Sequence, residues 1–398
     1  MRVAGRHRLA QRRSVARIAA TGLFSIVATG LTTWGLSATA AITQTPLPPP
    51  YNYAEPRPEE PPALPREQLL TLGPAQHPYQ MPVYANHKLD KPLPAIRRVI
   101  VTLPGARRDD GKHYQVIETL IPKDPAQRDQ TLILALEFPS SLDTRFSALP
   151  AWRKSHWEIG EKSIQSSRRP SPVSAFQVLD DVVQWLAARD VTPALTTIVL
   201  AAHGSGAQLL QRYAILNDID GDVVRDEITL RYVIANAPSY LYLTNERPRR
   251  HGDGFAPYER GICPTYNQYP YGPQQLPEDV SDLDSASLYV RYASRNVTYL
   301  LGSADTNPED RRLDKHCGAE AQSATRLSRG LHYVRYDEVL AHRGKTAITL
   351  THDAHQVVDV GHDALAMFRS QCGMQALFGP EAHAIDHAAA CETITSVP

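Results

Sequence analysis

The sequence predicts an α/β protein with a mostly parallel central sheet covered by helices on both faces. Three features predict it. Short, fully apolar segments alternate with segments of helical periodicity, which is the pattern of strands buried on both sides. One of those strands, at 198–202, runs through a cluster of tiny residues straight into a helix. Residues 236–290, rich in Tyr, Pro and Gly, break the alternation and read as an insertion above the sheet.

The chain has 398 residues, and 42 Lys and Arg balance 42 Asp and Glu. Zero net charge gives no sign of nucleic acid as a partner. The N-terminus carries Arg2, Arg6, Arg8, Arg12, Arg13 and Arg17, and no acid precedes Glu55. Residues 18–37 are apolar and uncharged, and Ala38-Thr39-Ala40 has the form of a cleavage site. Residues 1–40 therefore read as an export signal, with Arg12-Arg13 resembling a twin-arginine signal. An uncleaved anchor is the alternative, because about 20 apolar residues can cross a bilayer. This segment alone is expected to meet a membrane, leaving the rest periplasmic or secreted. Nine prolines within 46–65 predict an extended spacer. Residues 41–95 as a whole read as spacer and irregular lead-in to a domain at 96–380.

The elements of that domain follow in order. A strand at 98–103 runs into Pro104-Gly105, and a second lies at 131–136. Ser174 is a natural N-cap for a helix with Phe176, Leu179, Val182, Val183 and Leu186 on one face. The strand at 197–202 follows, then a helix with Leu209, Leu210 and Tyr213 on one face. Further strands are expected at 231–235, 297–301 and 355–358. In such sheets ligands bind beyond the carboxyl ends of the strands. The chemistry should therefore lie at 103–114, 138–142, 203–207, 236–245, 302–308 and 359–364. Cys263, Cys317, Cys372 and Cys391 are an even set in an exported chain, which favours two disulfides. Of three possible pairings we favour Cys263–Cys317 and Cys372–Cys391, the second closing a short loop that pins the tail at 381–398.

The strand–turn–helix is the shape of a nucleophile elbow, small-x-nucleophile-x-small. Ala202-His203-Gly204-Ser205-Gly206 fits the small positions, but the nucleophile position falls on Gly204. The hydroxyl stands one residue later, at Ser205. Acyl transfer by a serine also needs an imidazole base, a carboxylate to orient it and donors for the oxyanion. Asp305, in a turn after the strand at 297–301, fits the carboxylate. His362, in a loop before a helix at 364–370, fits the base. Gly105, Ala106, Gly204 and Gly206 are the candidate backbone donors and pocket residues.

Other constellations rank lower. His352, His355, Asp359 and His362 could suggest a metal, but they sit in a loop and strand, so neither a metal nor another cofactor is expected. Arg107 and Arg108 could clamp a carboxylate or phosphate, or lie in a solvated loop. Tyr240, Tyr242, Tyr258, Tyr266, Tyr269 and Tyr271 could line an aromatic groove, or simply pack.

Beyond the elbow, the chain carries Ala175-Phe176-Gln177-Val178-Leu179-Asp180, Gln208, Gln211-Arg212-Tyr213-Ala214, Val233-Ile234-Ala235-Asn236 and Ser239-Tyr240-Leu241-Tyr242-Leu243. Phe255-Ala256-Pro257-Tyr258, Cys263-Pro264, Leu301-Gly302 with Asp305-Thr306, Leu313-Asp314 with Cys317, and Gly361-His362-Asp363 continue the set. Over roughly 97–378 this resembles a branch of exported α/β-hydrolase-like proteins of largely undefined substrate. Their elbow reads Gly-His-Ser-x-Gly-Gly-Gln and continues Gln-Arg-Tyr-Ala. The resemblance implies an α/β-hydrolase fold and puts Gly204 at the family's serine position. It also implies that the family's His-Gly in the first loop is Pro104-Gly105 here, a change that removes one backbone donor. Two readings follow. Either Ser205 attacks an ester or amide through a slipped turn, or the site is a degenerate pseudo-hydrolase that binds a small molecule.

Overall fold

The computed structural model describes residues 67–394, apart from 109, 260, 281–282, 344–346 and 383–387. The stretches expected to be an export signal and a proline-rich spacer lie outside the described residues. No helix among the described residues is long and apolar enough to cross a membrane.

Along the chain the elements are β1 (Glu67–Leu72), β2 (Tyr79–Ala85), β3 (Arg98–Leu103), α1 (Asp110–Leu120), α2 (Pro125–Asp129), β4 (Thr131–Leu136) and α3 (Ala175–Ala187). Then come β5 (Thr197–His203), α4 (Ser205–Leu216), α5 (Asp220–Arg225), β6 (Thr229–Ala235), β7 (Glu246–Pro248), β8 (Phe255–Pro257), α6 (Ser285–Ala293) and β9 (Asn296–Gly302). The last are α7 (Cys317–Glu320), α8 (Arg326–His342), β10 (His352–Val357), α9 (Ala364–Arg369), α10 (Gln371–Phe378) and β11 (Cys391–Thr393). One nine-stranded sheet has the order β1-β2-β4-β3-β5-β6-β9-β10-β11. Its six central strands are parallel. The edges are antiparallel.

Period-two alternation puts both faces of the sheet into cores. Val99, Val101 and Leu103 of β3 join one apolar cluster with α3, α4 and the tyrosines of α8. Ile100 faces the opposite cluster, with Ile133, Val199, α1, α9 and α10. Helices thus cover both faces, as expected from the unbroken apolar strands.

Two expectations need correction. Residues 67–85 are not irregular lead-in but a hairpin, so the folded unit begins well before residue 96. Leu70, Leu72, Tyr79, Met81 and Val83 alternate inward, and the Tyr79 hydroxyl donates to Asp181 Oδ2 of α3 at 2.6 Å. A half-buried edge hairpin has too few apolar residues to stand out beside so many prolines. The tail also does more than hang from a disulfide, since β11 pairs with β10 as the last strand. The cysteines form Cys263–Cys317 and Cys372–Cys391, as expected.

The insertion is a packed layer rather than an open aromatic groove. Tyr240 and Tyr242 are fully buried against Tyr333 and Tyr336 of α8. Arg247 lies over the Tyr242 ring at 4.5 Å, a cation–π contact in a water-poor layer. The polar residues of α4 hold this layer down. Gln211 accepts from the Leu241 N–H at 2.8 Å, and Arg212 donates to the Pro270 carbonyl and the Ser239 hydroxyl.

Candidate functional site

Strand order reverses direction between β3 and β5, so their carboxyl ends splay apart and leave a crevice. Gly105 and Ala106 lie on one side of it and His203, Gly204 and Ser205 on the other, around a cleft of about 280 Å³. Gly204 has φ +63° and ψ −124°, a left-handed conformation disfavoured for residues with a Cβ. It is the N-cap of α4 yet offers no capping side chain. The first N–H groups of α4 therefore have no partner within the helix. The other glycine in the turn does something different. A Cβ on Gly206 would meet the Pro104 carbonyl oxygen at 2.7 Å and Leu103 Cβ at 2.9 Å. Gly206 therefore lets α4 press against the end of β3 and is not among the residues lining the cleft, contrary to the expectation that it belongs to the pocket.

Asp305 and His362 come together. His362 Nδ1 lies 2.8 Å from Asp305 Oδ2. That carboxylate accepts from Nδ1 and so fixes the orientation of the ring. Nε2 is aimed at the turn, 3.2 Å from where a Cβ on Gly204 would stand. Behind the pair, buried Arg326 reaches Asp305 at 3.3 Å and Asp310 at 3.4 Å. The buried carboxylate is thus compensated on the side away from the imidazole.

One residue whose role was not anticipated from sequence holds the loops in register. Asn236, at φ +48°, accepts from the Gly302 N–H at 2.8 Å and donates to the Gly361 carbonyl at 3.1 Å. It therefore joins the strand end leading to Asp305 to the loop carrying His362. Its amide also lies 3.4 Å from His203 Nε2. The His203 ring sits 4.3 Å, centroid to centroid, from that of His362. Burial, then the neighbouring His362, pushes the proton affinity of His203 well below the ordinary value, so two cationic rings do not face each other.

The structure does not bring the Ser205 hydroxyl to His362. The nearest titratable influence on that hydroxyl is the carboxyl of Glu158, in the 3-10 turn His156–Ile159. Burial pushes the Glu158 carboxyl up to about 7 from its ordinary 4.5, with the Ser205 hydrogen bond and Arg212 pulling it back. A step of one residue along a helix rotates a side chain by about 100°, enough to turn it from one pocket towards another. Ser205 thus borders both the His362 cleft and a second one, lined by Glu158, Arg108 and Asp314.

Cations outnumber acids on the His362 side, although Arg326 is paired with Asp305 and Asp310 and Arg312 with Asp310. Arg107, Lys112, Arg312 and Arg326 line the cleft, and Asp363 is the one acid in its lining among the described residues. Arg108 is drawn away, donating to the carbonyls of Trp152 and Lys154. His352 uses both ring nitrogens on Asp337 and the Tyr292 carbonyl. No cluster of His, Cys, Asp or Glu suited to a metal occurs among the described residues.

No protein-family model and no curated protein matches this chain in sequence. Its backbone is similar to that of poly(aspartic acid) hydrolase-1 from Sphingomonas sp. KT-1, with TM-score 0.51 and 20% identity over 76% of this chain and 96% of the other. It is also similar to LpqC, a poly(3-hydroxybutyrate) depolymerase from Bordetella parapertussis, with TM-score 0.53 and 18% identity over 81% and 92%. The fold is the α/β-hydrolase fold.

Proposed function

We propose that this chain is an exported α/β-hydrolase-fold protein that binds a small anionic ester or amide and forms no acyl-enzyme. One observation carries this reading. The elbow turn facing the Asp305–His362 pair holds Gly204, which has no side chain with which to attack a carbonyl. Loss of the attacking group costs serine enzymes on the order of six decades in turnover. The N–H groups of Ser205, Gly105 and Ala106 still suit a carbonyl oxygen or carboxylate. Arg107 and Lys112 at the rim set the ligand's charge.

Calorimetric titration with monomethyl succinate, set against uncharged methyl butyrate, tests it. The anionic ester should bind and the neutral one should not, and Arg107→Ala should weaken binding several-fold. Equal binding of the two esters, or none, overturns the reading.

The intact Asp305–His362 hydrogen bond favours a second, slower activity at the same place. Nε2 would take a proton from water beside Gly204, and the resulting hydroxide would add to the carbonyl. Collapse would expel the alkoxide, which recovers the proton from His362. Hydrolysis of p-nitrophenyl acetate lost in His362→Ala, unchanged in Ser205→Ala and resistant to a fluorophosphonate would establish it. Turnover that disappears in Ser205→Ala would exclude it.

A further inference from the structure

At the opposite end of the sheet, where the parallel strands begin, a second cleft of about 880 Å³ opens. Arg98, the first residue of β3, and Arg231, near the start of β6, both line it. Arg97 and Lys123 add two exposed cations. Among the described residues neither Arg98 nor Arg231 has an ion-pair or side-chain hydrogen-bond partner, and the Nε of Arg231 is buried with none. Glu381, exposed at the rim, is the one acid in the lining among the described residues. Burial, and then the charge of Arg231, lowers the proton affinity of Arg98.

Two half-buried guanidinium groups that repel each other are a cost that surface arginines avoid by turning into water. The ends of α1 and α10 lie beside the cleft, and their carbonyl dipoles offset part of the repulsion. Neither end accepts a hydrogen bond from these arginines. What the pair lacks is an acceptor that takes several N–H donors at once, the role of a carboxylate or phosphate. Ile121, Pro122 and Phe378 supply an apolar stretch of the wall, beside polar Thr119, Gln127 and Gln130.

We propose that this cleft binds an amphiphilic anion, with a carboxylate or phosphate head between Arg98 and Arg231 and a short alkyl tail along Ile121, Pro122 and Phe378. The site is independent of the elbow and of what happens there.

Calorimetry on the full chain with octyl phosphate, octanoate and octyl glucoside tests it. At least one of the two anions should bind, the stronger one naming the head group, and the glucoside should not. Arg98→Gln/Arg231→Gln should lose at least tenfold in affinity while its unliganded melting temperature shows that it is folded. On the unaltered protein, the bound anion should slow modification of Arg231 by phenylglyoxal, read by peptide mass. Binding of the glucoside as tight as that of the anions, no binding of either anion, or undiminished binding by the folded variant would overturn the proposal. So would equal labelling of Arg231 with and without the anion.

Discussion

The two sides of the elbow turn differ by one residue and by almost everything chemical. On the Gly204 side stands an imidazole, oriented by a carboxylate, with no side chain opposite it. On the Ser205 side stands a hydroxyl beside the Glu158 carboxyl, with no hydrogen bond to His362 among the described residues. Each side has half of a serine hydrolase. The comparison shows why a nucleophile cannot drift along this motif. All of α4 is buried, and Gly206 locks its first turn against the end of β3, so the helix cannot rotate to bring residue 205 round.

The largest effect should come from rejoining the halves. Gly204→Ser should convert a protein that a fluorophosphonate does not label into one labelled at position 204, with labelling lost when His362→Ala is added. Ser205→Ala should leave it unaltered. A side chain at φ +63° costs on the order of 1–3 kcal/mol, and its Cβ would press on His362 at 3.2 Å. The variant should therefore melt lower while reacting faster. Labelling of the unaltered protein on Ser205 would show that the two sides communicate after all.

Next in size is the support behind the imidazole. Arg326→Met leaves Asp305 buried without its cation, which should cost about 3 kcal/mol in urea unfolding. The same substitution should leave the Ser205 side untouched. A loss below about 1 kcal/mol would mean that His362 alone compensates the carboxylate.

Most of the fold was legible because strands buried on both faces leave an unmistakable apolar signature, and β3, β4, β5, β6 and β9 lie where that signature places them. The hairpin at 67–85 was hidden because a half-buried edge strand needs only every second residue apolar. The pairing of Asp305 with His362 was foreseeable, since each follows the carboxyl end of a strand in the usual chain order. Glu158, Asn236 and Arg326 were not. Each acts through a contact distant in sequence: Glu158 on Ser205, Asn236 on Gly361, and Arg326 on Asp305. No local pattern marks a polar residue whose partner is brought in by the tertiary fold. Gly206 was misread for a related reason, because a glycine that serves close packing and one that opens a pocket are the same letter.

The smallest effect separates the two sides by their pH dependence. Glu158 holds its proton more tightly folded than unfolded, its carboxyl standing near 7 rather than 4.5. The folded state then binds more protons across that window, so this group's stabilising share is present in acid and lost as pH rises through about 7. Its size is on the order of 2 kcal/mol, since Glu158 is only partly shielded. His203 runs the other way. Burial and His362 depress its proton affinity below the ordinary 6.5, so the unfolded chain binds the extra proton and stability falls as pH drops below that value. Between pH 4.5 and 6.5 the two slopes oppose each other, and urea unfolding of the native chain should vary little there. Glu158→Gln should expose the histidine slope, with stability rising towards neutral pH. His203→Gln should expose the carboxyl slope, with stability falling over the same interval. If both variants kept a flat profile, neither group would differ between folded and unfolded states, and the electrostatic contrast across the turn would be wrong.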